Sequence, residues 1–168
     1  MNIVLIGYRG TGKSAVAEQL HLMTGKKKIS IDEEVVRQSG MSIPQLVESH
    51  GWGTFRELES GLTAHYSAFQ ECIIDTGGGV VLKSANLANL QETGILVWLT
   101  ATVDTIVSRI GEDTNRPALK EGKTFVEEIQ EVLSERESLY REAANFEVAT
   151  DAHSPEEIAA HILQIIPR

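Results

Sequence analysis

The sequence predicts an α/β fold, a parallel sheet covered on both faces by helices. Three observations predict it. Short apolar runs at residues 2–6, 29–31, 72–74, 95–99 and 146–149 alternate with stretches of helical periodicity, the pattern of a parallel sheet with helical crossovers. The run Ile95-Leu96-Val97-Trp98-Leu99 has no polar alternation, as expected of a strand buried on both faces. The first run leads straight into Gly7-Tyr8-Arg9-Gly10-Thr11-Gly12-Lys13-Ser14 and then the helix-like residues 15–20. In that strand–helix context, G-x-x-x-x-G-K-S curls its backbone N–H groups around phosphate oxygens. The helix start adds its orphan N–H groups and its positive dipole end. Gly10, Thr11, Gly12, Lys13, Ser14 and Ala15 are therefore the expected nucleotide cradle. Lys13 is in reach of the β- and γ-phosphates, and the Ser14 hydroxyl is placed to ligate Mg²⁺.

The elements follow in order. Gly25 and the run Lys26-Lys27-Lys28 read as a helix stop and a solvated turn. Ile29-Ser30-Ile31 is the second strand, ending at Asp32, and residues 33–39 are a helix stopped by Gly40. Ser42 and Gln45 make an S-x-x-Q capping box, with Met41 and Leu46 spaced as its hydrophobic staple. That helix is expected to break at Gly51-Trp52-Gly53, and residues 54–69 form the next one, with Phe55, Leu58, Leu62 and Tyr66 along one face. The third strand closes on Asp75 and runs into Thr76-Gly77-Gly78-Gly79. Residues 83–90 and 102–110 fit short helices. Residues 111–122 are a polar connection without apolar periodicity, and a loop of about a dozen residues in a compact domain is usually functional or disordered. Residues 125–141 are a long amphipathic helix with Ile129, Val132, Leu133 and Tyr140 on its inner face and Arg136 among them. Ser154-Pro155-Glu156-Glu157 opens the last helix with a capping box and a first-position proline, and Ile158, Ile162 and Ile165 give its core stripe. No repeat or linker interrupts the chain, so residues 1–168 read as a single domain.

Composition narrows the function. Lys plus Arg total 15 against 24 Asp plus Glu, a formal net charge of −9. Such a surface repels nucleic acid and anionic membrane, so any anion site must be local. One cysteine, Cys72, excludes an internal disulfide, and the five histidines lack metal-ligand spacing. No apolar stretch approaches the about 20 residues of a membrane span, and the leading strand lacks a signal-peptide pattern. A cytoplasmic monomer is expected.

The remaining chemistry sits at the other strand ends. Asp32 follows strand two, and Gly77-Gly78-Gly79 follows strand three. Arg56 lies early in a helix, Arg116 in the long loop, and Arg136 on an inner helix face. In so acidic a chain, arginines at these places suggest anion recognition, because a guanidinium pairs bidentately with carboxylate or phosphate. Taken singly, an arginine on a helix is more often a snorkelling surface residue. A glycine triplet is commonly a plain loop, though it also permits close ligand approach.

Together these pieces resemble a family, the bacterial shikimate kinases. The resemblance rests on residues 7–14, Asp32, Gly40-Met41-Ser42-Ile43, Gly51, Phe55-Arg56 with Glu59, Gly77-Gly78-Gly79, Arg116-Pro117, and Arg136 followed by Leu139-Tyr140-Arg141. It implies a three-layer P-loop kinase with a five-stranded parallel sheet in order 2-3-1-4-5, a helical substrate-binding segment at about residues 32–60 and a lid at about 111–123. It implies transfer of the ATP γ-phosphoryl to the 3-hydroxyl of shikimate. Arg56 and Arg136 would grip the substrate carboxylate, and Asp32 and the Gly77, Gly78 and Gly79 backbone its hydroxyls, with Asp32 also accepting the attacking proton. Arg116 and Lys13 would neutralise the transferring phosphoryl, and Arg109 would lie against adenine.

Two departures stand out. The family usually carries D-x-D after strand two, where this chain reads Ser30-Ile31-Asp32, and Trp52 stands where the family typically has Glu. The resemblance implies that the first Asp serves the Mg²⁺ waters, so Ser30 would bring no charge to that site. Asp75 ends strand three, where the family is usually neutral; it either holds a Mg²⁺ water in compensation or caps the glycine turn. Two other readings of the chain compete, a kinase for another hydroxy acid such as gluconate and a nucleotide-binding protein without kinase activity.

Overall fold

The computed structural model describes residues 1–111 and 122–167. Five parallel strands form one sheet in the order β2-β3-β1-β4-β5. In chain order the elements are β1 (Asn2–Ile6), α1 (Lys13–Thr24), β2 (Lys27–Ser30), α2 (Ile31–Ser39), α3 (Ile43–Ser67) and β3 (Cys72–Asp75). A 3₁₀ turn (Val80–Leu82) leads to α4 (Ser84–Thr93), β4 (Gly94–Thr100), α5 (Val103–Ile110), α6 (Phe125–Ala143), β5 (Phe146–Ala149) and α7 (Pro155–Ile165).

The sheet is apolar on both sides because its central strands are uniformly apolar. Along β1, Ile3 and Leu5 pack with Val16, Ala17 and Leu20 of α1 and Ile158, Ala159 and Ile162 of α7. Val4 and Ile6 turn the other way, toward Phe55, Leu62 and Tyr66 of α3, Leu90 of α4 and Tyr140 of α6. Each such side chain, once fully buried, contributes roughly 1.5–3 kcal/mol. A smaller cluster of Tyr8, Ile106, Ile129 and Val132 joins the start of the phosphate loop to α5 and α6.

Three expectations need correction. Of the three lysines read as a solvated turn, Lys27 and Lys28 are in β2, where Lys27 pairs with Cys72 and Lys28 with Ile73; Lys26 precedes the strand. β2 is an edge strand, and lysines suit an edge because their ammonium groups stay in water. Lys28 pairs with Glu18 on α1. Second, β2 ends at Ser30, and Asp32 is on the first turn of α2. The Ser30 hydroxyl caps that helix by accepting from the Glu33 N–H at 3.3 Å, and Asp32, Glu33 and Glu34 complement the dipole of its first turn. Third, the break expected at Gly51-Trp52-Gly53 is a kink at Gly51 alone, with φ 81° and ψ 166°, and helical geometry resumes at once. That backbone region is almost exclusive to glycine.

The capping boxes at Ser42–Gln45 and Ser154–Glu157 form as expected, and Thr124–Glu127 makes a third at the start of α6. Among the described residues no helix is long and apolar enough to cross a membrane.

Candidate active site

β1 has β3 on one side and β4 on the other, so the chain reverses its direction of travel across the sheet there. Ligands of open parallel sheets bind at such a point, beyond the carboxyl ends of the strands. The phosphate loop occupies it. Thr11 closes the loop on itself, its hydroxyl donating to the Tyr8 carbonyl at 2.7 Å. Helix α1 begins at Gly12 without a side-chain cap and without an acid in its first turn, which leaves its N–H groups available to an anion. Lys13 is buried and folded over the loop, donating to the carbonyls of Gly7 at 2.8 Å and Tyr8 at 3.0 Å. Arg9, Gly10, Gly12, Lys13, Ser14, Ala15, Asp32 and Asp75 line one cavity.

Arg109 reaches this loop from α5. It donates to the Gly10 carbonyl at 3.3 Å and to Thr150 at the end of β5, at 2.8 Å to the hydroxyl and 2.7 Å to the carbonyl. Thr150 in turn donates to the Thr11 carbonyl at 2.8 Å. The side chain expected against adenine thus sits at the rim of the loop and ties it to β5.

On the β3 side, Gly77 and Gly79 of the triplet are packed closely against side chains. A Cβ on Gly77 would lie 2.6 Å from Glu59 Oε1 and 3.1 Å from Asp32 Oδ1. A Cβ on Gly79 would fall on the Arg56 guanidinium. Arg56 is itself fixed on three sides. It donates to Glu59 at 2.8 Å, and its guanidinium carbon lies 5.3 Å from the Trp52 ring centroid and 5.1 Å from that of Phe55. Glu59 is 1% exposed, and its second oxygen accepts no hydrogen bond among the described residues. Arg56 is therefore a built site, not a snorkelling helix residue.

Arg136 approaches from α6 and is buried. Its positive charge lies beside Tyr140, whose hydroxyl donates to the Gly78 carbonyl at 2.5 Å. Burial is the main reason the Tyr140 phenol is pushed up to about 12, so it stays protonated and keeps that bond at neutral pH. The same helix is pinned to the phosphate loop by Glu128, which pairs with Arg9 at 3.2 Å. The structure thus brings Asp32, Arg56, Gly77, Gly78, Gly79 and Arg136 together beside the loop that carries Lys13 and Ser14. Arg116 and most of the expected lid lie outside the described residues. The sequence alone gives no role to Glu128 or Thr150 and marks Tyr140 only as an inner-face residue and part of the family motif, because a buried polar contact between distant elements has no periodicity. Glu59 did carry a signal, its i+3 spacing from Arg56.

At the other end of the cavity, Ser14 donates to Asp75 Oδ2 at 2.6 Å. Burial pushes the Asp75 carboxyl up from its ordinary value, opposed by Lys13 and by the Ser14 hydrogen bond. A hydroxyl and two carboxylates on one phosphate cavity are hard oxygen donors, a set that fits Mg²⁺.

A phosphate loop beside a convergent set of arginines, a carboxylate and a buried glycine turn fits a P-loop phosphotransferase for a small anionic acceptor. The sequence pattern of the shikimate kinase family matches residues 9–167. Shikimate kinase 2 of an Enterobacter species is 38% identical over 164 residues, covering 96% of this chain and 92% of that one. Shikimate kinase of Geobacter metallireducens is 35% identical over 161 residues, covering 96% and 89%. The solved shikimate kinase of Acinetobacter baumannii in complex with shikimate superposes with a TM-score of 0.93 at 30% identity, covering 98% of this chain and 91% of that one. The chain belongs to the shikimate kinase family. Its reaction is ATP-dependent phosphorylation of an alcohol group, with shikimate as the acceptor.

Proposed function

We propose that this site transfers the γ-phosphoryl of MgATP to the 3-hydroxyl of shikimate, with the following division of work. Arg56 and Arg136 grip the substrate carboxylate, and Asp32 with the backbone of Gly77, Gly78 and Gly79 holds its hydroxyls. Asp32 takes the proton of the attacking hydroxyl as the O–P bond forms and the bond from the γ-phosphorus to the bridging oxygen of ADP breaks. Lys13 leaves the carbonyls of Gly7 and Tyr8 for the phosphates, and Arg116 joins it there. Gly10, Thr11, Gly12, Ser14 and Ala15 cradle the phosphates, and Arg109 borders the base. Mg²⁺, held through Ser14, would neutralise charge on the β- and γ-oxygens. Phosphoryl transfer needs mainly such positioning and electrostatic stabilisation. The cytoplasm is the proposed compartment, with shikimate and ATP as the ligands of a single-domain monomer.

The observation that carries the residue assignment is the packing of Asp32, Glu59 and Arg56 against Gly77 and Gly79, one side chain away from the phosphate loop. Arg56→Ala tests it. A charge-assisted hydrogen bond is worth about 1.5–3 kcal/mol, so the shikimate KM should rise roughly 10- to 100-fold with the ATP KM nearly unchanged. An unchanged shikimate KM would remove Arg56 from the substrate site.

A further inference from the structure

We propose that the acidic partner of the metal has moved in this chain from the end of β2 to the end of β3, so that Asp75 serves it and Ser30 does not. This rests on the reading that Ser14 ligates the Mg²⁺ of MgATP.

The two residues are direct neighbours, since Ser30 and Asp75 are partners in the β2–β3 register. A carboxylate at either place therefore faces the same end of the phosphate loop. Ser30 brings no charge, and its hydroxyl accepts from the Glu33 N–H, which places it in the frame of α2. Asp75 brings the charge. Its carboxylate is 5% exposed, lines the phosphate cavity with Lys13 and Ser14, and accepts the Ser14 hydroxyl at 2.6 Å. That hydrogen bond has a direct consequence for coordination. With its proton committed to Asp75, Ser14 turns its oxygen lone pairs away from Asp75 and into the cavity, as a hard cation requires. Among the described residues Asp75 accepts nothing from the N–H groups of the glycine turn, so turn capping does not account for it. The turn is held instead by Thr76, which donates to the Leu5 carbonyl at 2.8 Å.

The test reads metal affinity without turnover. Mn²⁺ binding to the enzyme–ADP complex is followed from the free-ion EPR signal, and ADP binding is measured separately in EDTA. Asp75→Asn keeps the shape and an acceptor for Ser14 but removes the charge. Losing a partner that orients a ligand typically costs about 10- to 100-fold in metal affinity; that loss is expected here, with ADP binding in EDTA within about twofold of the parent. Ser30→Asp added to Asp75→Asn should recover most of the loss, because it returns a carboxylate to the neighbouring register position.

The single variant Ser30→Asp leaves Asp75 in place and is expected to change Mn²⁺ affinity by less than about threefold, since the charge is already supplied. Mn²⁺ affinity unchanged in Asp75→Asn, or no recovery in the double variant, would overturn the proposal. A tenfold gain in Ser30→Asp alone would overturn it too, even if Asp75→Asn did not fold. Failure of the parent chain to bind ADP would instead sink the reading of the phosphate loop.

Discussion

A Cβ at residue 79 would fall on the Arg56 guanidinium, so Gly79→Ala must push that side chain out of the glycine turn. The variant is expected to mimic Arg56→Ala, raising the shikimate KM at least about tenfold while the ATP KM holds, because one charge-assisted contact is lost. Initial-rate measurements over both substrates check this, and a selective rise in the ATP KM would contradict it. Lys13 is proposed to act on the other reactant, ATP. Removing one group that stabilises transition-state charge costs about 10²- to 10³-fold in kcat, and Lys13→Met is expected to fall in that range with shikimate binding retained. Much of this was legible at the residue scale. Asp32, Arg56, Arg136 and the glycine triplet all converge as their positions in the chain suggested. What the sequence does not show is how Arg56 is held. The i+3 spacing hinted at Glu59, but the contact to Trp52 depends on helical geometry resuming directly after Gly51.

The elements carry their own tests. Gly51 holds φ 81° and ψ 166° inside α3, and a side chain forced into that region costs about 1–3 kcal/mol. Gly51→Ala should lower the unfolding free energy by that amount in urea denaturation. Gly61, in the same helix, has ordinary helical geometry and open space around it. Gly61→Ala should therefore raise stability by roughly 1 kcal/mol, the helix-propensity difference. The opposite signs separate a glycine that bends a helix from one that merely sits in it. Among the described residues, periodicity and capping chemistry located every α-helix, because those signals are local, though not the 3₁₀ turn at Val80–Leu82. The end of β2 escaped it. Ile29-Ser30-Ile31 has strand composition throughout, but Ser30 caps α2 and three acids follow in that helix's first turn, so the helix begins two residues earlier than the apolar run implies. Lys27 and Lys28 before it look like a turn in isolation, and only their place at the sheet edge makes them strand.

At the scale of the whole molecule, the two proposed ligand sites are neighbours at the carboxyl ends of the strands. Helix α6 touches both, pairing Glu128 with Arg9 of the phosphate loop and Tyr140 with Gly78 of the glycine turn. A ligand bound only by the folded chain stabilises it by about 2.7 kcal/mol at a hundred times its Kd. For a domain of this size that is a melting shift of about 5–10 °C, expected for MgADP, with a further rise when shikimate is added. The measurement that bears most directly on the account is steady-state ADP release from MgATP, with shikimate, with gluconate and with neither. Rapid release that depends on shikimate and stays at background with gluconate is expected. Release that ignores shikimate, or that gluconate supports equally well, would contradict it.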